Sequence, residues 1–124
     1  MAQLLRATGE EVVTHDSIFE AACTDARWLA EAGQRGWVVL AREARIHTNL
    51  LERRGFLASG ASVFLMAPGE FQAREVAQAY VAAMPCIKRA RRWRRPLLAT
   101  VSLDGNVVVH YVDRKKLARP QKVD

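Results

Sequence analysis

The chain has 124 residues, half of them hydrophobic, which is enough for one domain that buries roughly two-thirds of the surface its unfolded form exposes. No apolar stretch nears the ~20 residues needed to cross a bilayer, and residues 1–11 lack the basic-then-apolar layout of a secretory leader, so the reading is a cytoplasmic protein without membrane contact. Charge is uneven: residues 1–83 hold eight Lys/Arg against ten Asp/Glu, a net of −2, whereas residues 84–124 hold eleven against three, a net of +8, which reads as a surface for nucleic acid or an acidic partner protein.

In chain order, residues 3–7 read as the tail of a helix stopped by Gly9, and residues 11–15 as a short strand. A polar connection over 16–24 leads to Asp25, which is placed to cap a helix through Ala32 with Trp28 and Leu29 facing inward, ended by Gly33 to Gly36. Residues 37–41 follow as an apolar run, read as a strand buried on both faces. Glu43 falls just past its carboxyl end, where open α/β sheets carry their functional crevice. Residues 46–58 show Ile46, Leu50, Leu51 and Leu57 at mostly helical spacing, closed by Gly60 before a further apolar run over 62–66. Pro68-Gly69 marks a turn. The longest predicted helix runs from about Glu70 to Trp93, with Phe71, Val76, Tyr80, Ala83, Met84 and Ile87 on one stripe, and Pro85 is expected to kink or split it. Residues 97–103 and 107–112 flank Asp104-Gly105 as an antiparallel hairpin. The remainder, 113–124, reads as a frayed basic tail beyond a domain at 1–112. Alternating strands and helices imply an α/β fold with a mainly parallel sheet and a C-terminal hairpin.

No GxGxxG, GxxxxGK[ST], HExxH or GxSxG motif is present, which removes the usual support for dinucleotide binding, P-loop hydrolysis, zinc proteolysis and esterase chemistry. Acids remain. Asp16, Asp25, Glu43 and Glu52 fall in connections or helix starts after the first two predicted strands, so a parallel sheet can gather some of them at one end. Converging carboxylates repel one another unless a divalent cation sits between them, and their hard oxygens suit Mg²⁺ or Mn²⁺. Each acid also has a plain structural use: Asp25 as a helix cap, Glu43 as a solvated residue after a strand, Glu52 as a partner of Arg53 or Arg54, Asp16 as a turn former. His15, His47 and His110 are not spaced as ligands, and Cys23 and Cys86 have no CxxC partner and read as reduced, mostly buried thiols. Lys88, Arg89, Arg91, Arg92, Arg94 and Arg95 surround Trp93, a pattern able to grip a phosphate backbone, although basic residues also offset a helix dipole at its carboxyl end.

The order Gly9-x-x-Val12-Val13-x-His15-Asp16, then Asp25-x-x-Trp28-Leu29, then Arg35-Gly36-Trp37-Val38-Val39-Leu40-Ala41-Arg42-Glu43-x-Arg45-Ile46, then a predicted helix bearing Glu52, resembles the PIN-like domains of VapC-type toxins from bacterial toxin–antitoxin pairs. The later pattern, from Ser62-Val63-Phe64-Leu65 through Met84-Pro85 to Arg95-Pro96-Leu97-Leu98-Ala99-Thr100-Val101 and the Asp104-Gly105 turn, is similar to the same group, so the likeness spans nearly residues 4–109. The resemblance implies a PIN-like three-layer α/β/α sandwich, Mg²⁺-dependent endoribonuclease activity and inhibition by a cognate antitoxin protein. It implies that Asp25 matches an acid of the site and that Glu43 stands where relatives usually carry Asp after a Thr-Lys pair, here Ala41-Arg42. Glu52 matches a recurrent helix acid, and Arg42 and Arg45 become candidates for orienting phosphate.

Two departures accompany the likeness. The family normally opens with a strand carrying an essential Asp, whereas here Met1 enters the helix that should follow it, and Glu43 is one methylene longer than Asp. They imply either a start placed too late or a weakened relative. The expectation is therefore a toxin-like ribonuclease with Asp25 and Glu43 as catalytic acids and metal ligands, Asp16 or Glu52 replacing the lost acid, and Arg91, Arg92 and Arg94 holding RNA, in a chain able to form a homodimer. The alternative is an inactive PIN-like module that binds an antitoxin or RNA, and a third reading is a small structural partner with a solvated basic tail.

Overall fold

A computed structural model describes residues 25–41, 56–67, 69 and 71–123. Helix α1 (Asp25–Arg35) leads into strand β1 (Val38–Ala41). Helical residues 56–59 precede β2 (Ser62–Met66), and helix α2 (Ala73–Ala90) is followed by β3 (Leu97–Val101), β4 (Val107–Val112) and β5 (Lys115–Lys122). The five strands form one sheet in the order β1-β2-β3-β4-β5, the first three parallel and the last two antiparallel. This is the expected α/β architecture, a mixed sheet with helices on both faces and a C-terminal hairpin.

The central strand explains the layers. All five residues of β2 are buried, and successive side chains point to opposite faces: Phe64 and Met66 pack with Tyr80, Ala83 and Ile87 of α2, whereas Val63 and Leu65 pack with Leu29 of α1 and Phe56. Two apolar cores thus sandwich one sheet. The α2 stripe is close to the expected one, with Val76, Tyr80, Ala83 and Ile87 buried at spacings of three and four, while Phe71 and Met84 pack at its margin. Inside this layer the Tyr80 hydroxyl donates to the Phe64 carbonyl oxygen at 2.9 Å.

Three boundaries differ from expectation, each for a physical reason. Helix α1 does not stop at Gly33, which lies within it: a Cβ there would stand 2.0 Å from the Ser59 carbonyl oxygen, so the glycine serves close packing of α1 against the chain entering β2. The turn falls instead at Gly36, with φ +70°, where the Gly36 and Trp37 amides donate to the carbonyls of Gly33 and Ala32. Pro85 does not split α2, which continues through it as one helix with the proline at an exposed position.

The third difference concerns the segment expected to fray. Residues 115–122 pair with β4, and the buried Val123 anchors the end through its amide to the Val107 carbonyl at 2.9 Å. Asp113 and Arg114, both at positive φ (52° and 65°), make the two-residue turn between β4 and β5. The pairing is irregular. Residues 117–120 stand opposite the single residue His110, and a second register shift sits between Leu98 and Ala99 of β3.

Candidate functional site

The sheet has two distinct ends. At one, the amino ends of β1, β2 and β3 lie side by side, Val38 beside Ser62 and Ser62 beside Leu97. At the other, Ala41, Leu65 and Thr100 form the corresponding row near the carboxyl ends. Helix α1 runs between them against strand direction: Gly33 touches Ser59 and Gly60 at the amino end of β2, and Leu29, one turn earlier, joins the cluster of Val63 and Leu65. Asp25 is one further turn back, as the first residue of α1. With ~1.5 Å per helical residue and ~3.3 Å per strand residue, the eleven residues of α1 and four of β1 have similar lengths, so the backbone brings the start of α1 to the end where β1 finishes. Ala41 ends β1, and Arg42-Glu43 follow it in the chain.

The turn joining these elements is reinforced by side chains. Arg35 donates from Nε to Glu31 Oε1 at 2.6 Å and lies with its guanidinium 4.6 Å from the Trp37 ring centroid, which ties the last turn of α1 to the residue preceding β1. Asp16, Arg42, Glu43, Arg45, Glu52, His15, His47 and Cys23 lie outside the described residues. Among the described residues, no group of three or more His, Cys, Asp or Glu side chains is arranged to hold a metal ion.

Two polar features, one near a strand end and one on α2, add to this. Thr100, in the row of Ala41 and Leu65, shares a 2.9 Å hydrogen bond between its Oγ1 and His110 Nε2, so His110 is a satisfied, partly buried imidazole, as its isolated position in the sequence suggested. Cys86 is a free thiol, half-buried, and its Sγ accepts from Arg89 Nη2 at 3.3 Å.

Arg91, Arg92 and Arg94 lie at the other end. Helix α2 runs back against β3, so the residues after Ala90 arrive where Leu97 begins, beside Ala61 and Ser62. The β4–β5 turn reaches the same place, since Leu97 pairs with Val112 and Val112 with Lys115, and Arg94 Nη1 stands 3.4 Å from Asp113 Oδ2. That ion pair is exposed and of little energetic weight, but it makes the two segments neighbours. The structure therefore brings Arg91, Arg92 and Arg94 together with Arg114, Lys115 and Lys116, and sets all of them at the opposite end from Asp25. The turn cations escape sequence reading because Asp113-Arg114 has no Gly or Asn-Gly to announce a two-residue hairpin.

No helix among the described residues is long and apolar enough to cross a membrane. Comparison with known proteins places these observations in a family. Residues 1–68 match the family described as PIN like domain, and that span includes Asp16, Asp25, Glu43 and Glu52. The chain is 34% identical over 103 residues to "Putative ribonuclease VapC45" of Mycobacterium tuberculosis (strain ATCC 25618 / H37Rv), covering 80% of this chain and 75% of that protein. No solved structure matches the chain. On the strength of the family match and this identity, carried by the α/β sheet already described, the chain belongs to the PIN-like domain family and is of the VapC type.

Proposed function

We propose that this protein is the toxin of a toxin–antitoxin pair and acts as a metal-dependent endoribonuclease. One observation carries the reading: the PIN-like family match over residues 1–68, in a chain 34% identical to a protein named as a VapC ribonuclease, covers the segment in which Asp25 opens α1 and Glu43 follows β1, two elements whose ends come to one side of the sheet. Asp25 and Glu43 are the proposed catalytic acids, with Asp16 or Glu52 completing the set.

The donor set fits a small divalent cation, because carboxylate oxygens are hard ligands and acids crowded at one strand end repel one another until a dication offsets them. Mg²⁺ or Mn²⁺, when bound, activates water and neutralises charge that develops on the phosphodiester. The residues Asp25, Glu43 and either Asp16 or Glu52 would hold it. Arg42 and Arg45 bracket Glu43 in sequence, and their planar guanidinium groups suit the two-pronged hydrogen bonding that orients a phosphate. RNA is the substrate and an antitoxin protein the inhibitor.

The test is cleavage of RNA by the purified chain in Mg²⁺ and in EDTA. We expect cleavage only with metal, and Asp25→Asn or Glu43→Gln to lower the rate about 10²–10³-fold, the effect usual for losing one group that stabilises transition-state charge, with thermal melting kept. Equal cleavage in Mg²⁺ and EDTA counts against the reading. A second reading, an inactive PIN-like module that binds antitoxin or RNA, is favoured by Glu43 itself, whose added methylene strains a cation that demands near-octahedral geometry. Binding without cleavage, insensitive to Asp25→Ala and Glu43→Ala, identifies that outcome.

A further inference from the structure

We infer that the end of the sheet remote from Asp25 is a second RNA-binding surface, a phosphate-backbone exosite built jointly by the segment after α2 and the β4–β5 turn. It rests on the ribonuclease reading only for the identity of the polyanion. Nine cations, Lys88, Arg89, Arg91, Arg92, Arg94, Arg95, Arg114, Lys115 and Lys116, are exposed in residues 88–95 and 113–116, against the single acid Asp113. The 3.4 Å contact between Arg94 and Asp113 makes them one surface.

Three observations say what this surface is for. First, its charge exceeds what the helix needs, since a helix dipole is offset by the residues of its last turn, here Lys88 and Arg89, and seven of the nine cations sit beyond that turn or on another element. Second, Arg114 occupies φ +65°, a conformation unfavourable for a non-glycine residue, and such strain at an exposed charged residue points to use rather than stability. Third, the surface offers charge and little else. Protein docking sites centre on exposed aromatic or aliphatic anchors, and the one large hydrophobic exposed among the described residues, Leu103, follows β3 at the opposite end. Trp93, between these cations, is half-buried against the core rather than projecting as an anchor, and a surface dominated by guanidinium and ammonium groups fits a phosphate backbone, which is bound mainly by charge.

The cations also lie outside the residues matched by the family, which end at 68. The exosite is therefore separate from Asp25 in space and from all four candidate acids in sequence. A polynucleotide engaging both ends must follow the length of the strands, ~15–20 Å for the five residues of β3 with their flanking turns.

The experiment measures binding of labelled poly(U) to the full chain in EDTA over a salt series. Replacing Arg114, Lys115 and Lys116 together by Ala should weaken binding about tenfold at physiological salt and lower the slope of log K against log salt by about 2, the value for three lost contacts on a single strand. The control, Arg119→Ala with Lys122→Ala, removes cations from β5 beyond the turn and should cost less than about twofold. Melting curves of all variants verify folding, and Arg91→Ala with Arg92→Ala gives an independent arm on the other segment. Equal losses in turn and control variants, or none in either, overturn the proposal, as does displacement of poly(U) by polyglutamate at equal charge, which would assign the surface to an acidic protein. Cleavage in Mg²⁺ is scored separately. Turn-dependent binding without cleavage sinks the nuclease and leaves the exosite, whereas cleavage with turn-independent binding does the reverse.

Discussion

Gly33 shows how one missing methyl group positions the candidate centre. In an exposed helix, exchanging Gly for Ala stabilises by up to about 1 kcal/mol, but here the added Cβ would meet the Ser59 carbonyl oxygen at 2.0 Å, a backbone atom that cannot swing aside. The clash wins. Gly33→Ala is expected to destabilise by about 1–3 kcal/mol in urea unfolding, and because α1 must lift from the chain entering β2, it should lower RNA cleavage in proportion to the displacement of Asp25. Tyr80 makes the complementary point on the other face. Its hydroxyl reaches the Phe64 carbonyl from within the apolar layer, so Tyr80→Phe should cost about 1 kcal/mol, the net worth of one buried hydrogen bond, and leave metal-dependent cleavage intact. A loss above about 3 kcal/mol would mean that the hydroxyl supports more than this bond.

At the level of elements, the β4–β5 hairpin trades stability for charge. Both turn residues sit at positive φ, where Asn-Gly is the low-energy choice, so Arg114→Gly should raise the unfolding free energy by about 0.5–1 kcal/mol while weakening poly(U) binding. Opposite signs in the two measurements are the expected result. The same hairpin marks the limit of what the sequence made legible. Strands β2 and β3 were readable because burial on both faces requires uninterrupted apolar runs, and the β3–β4 turn because Asp104-Gly105 meets its φ demand at Gly105. Strand β1 carries such a run too, although Val38, Val39 and Leu40 are only half-buried and the expectation of a strand buried on both faces does not hold there. Strand β5 was not, because an exposed edge strand needs no apolar face and Lys115, Lys116, Arg119 and Pro120 resemble a tail. Chain order alone put forward Asp16, Asp25, Glu43 and Glu52 as candidates, and the resemblance to PIN-like domains narrowed the proposed pair to Asp25 and Glu43. The separation of Arg91, Arg92 and Arg94 from Asp25 could not, since it depends on α2 running back to the amino end of β3, a matter of direction that spacing does not encode.

Across the whole molecule, the three-layer arrangement converts a lopsided sequence into a polar object. The positive half of the chain does not simply coat the sheet: α2 starts at the end where Gln72 donates its amide to Glu75 Oε1, and finishes among the arginines. Metal-dependent cleavage and salt-dependent binding should consequently respond to different substitutions. One feature of the last strand governs how copies of this protein can meet. Among the described residues β5 ends the sheet, and such an edge normally templates the stacking of further chains, yet β5 breaks its register over residues 117–120, lacks an amide hydrogen at Pro120 and carries like charges at Lys115, Lys116, Arg119 and Lys122. Fibril seeding along that border is blocked by repulsion and by missing donors, so self-association of this protein has to proceed through a different side of the molecule.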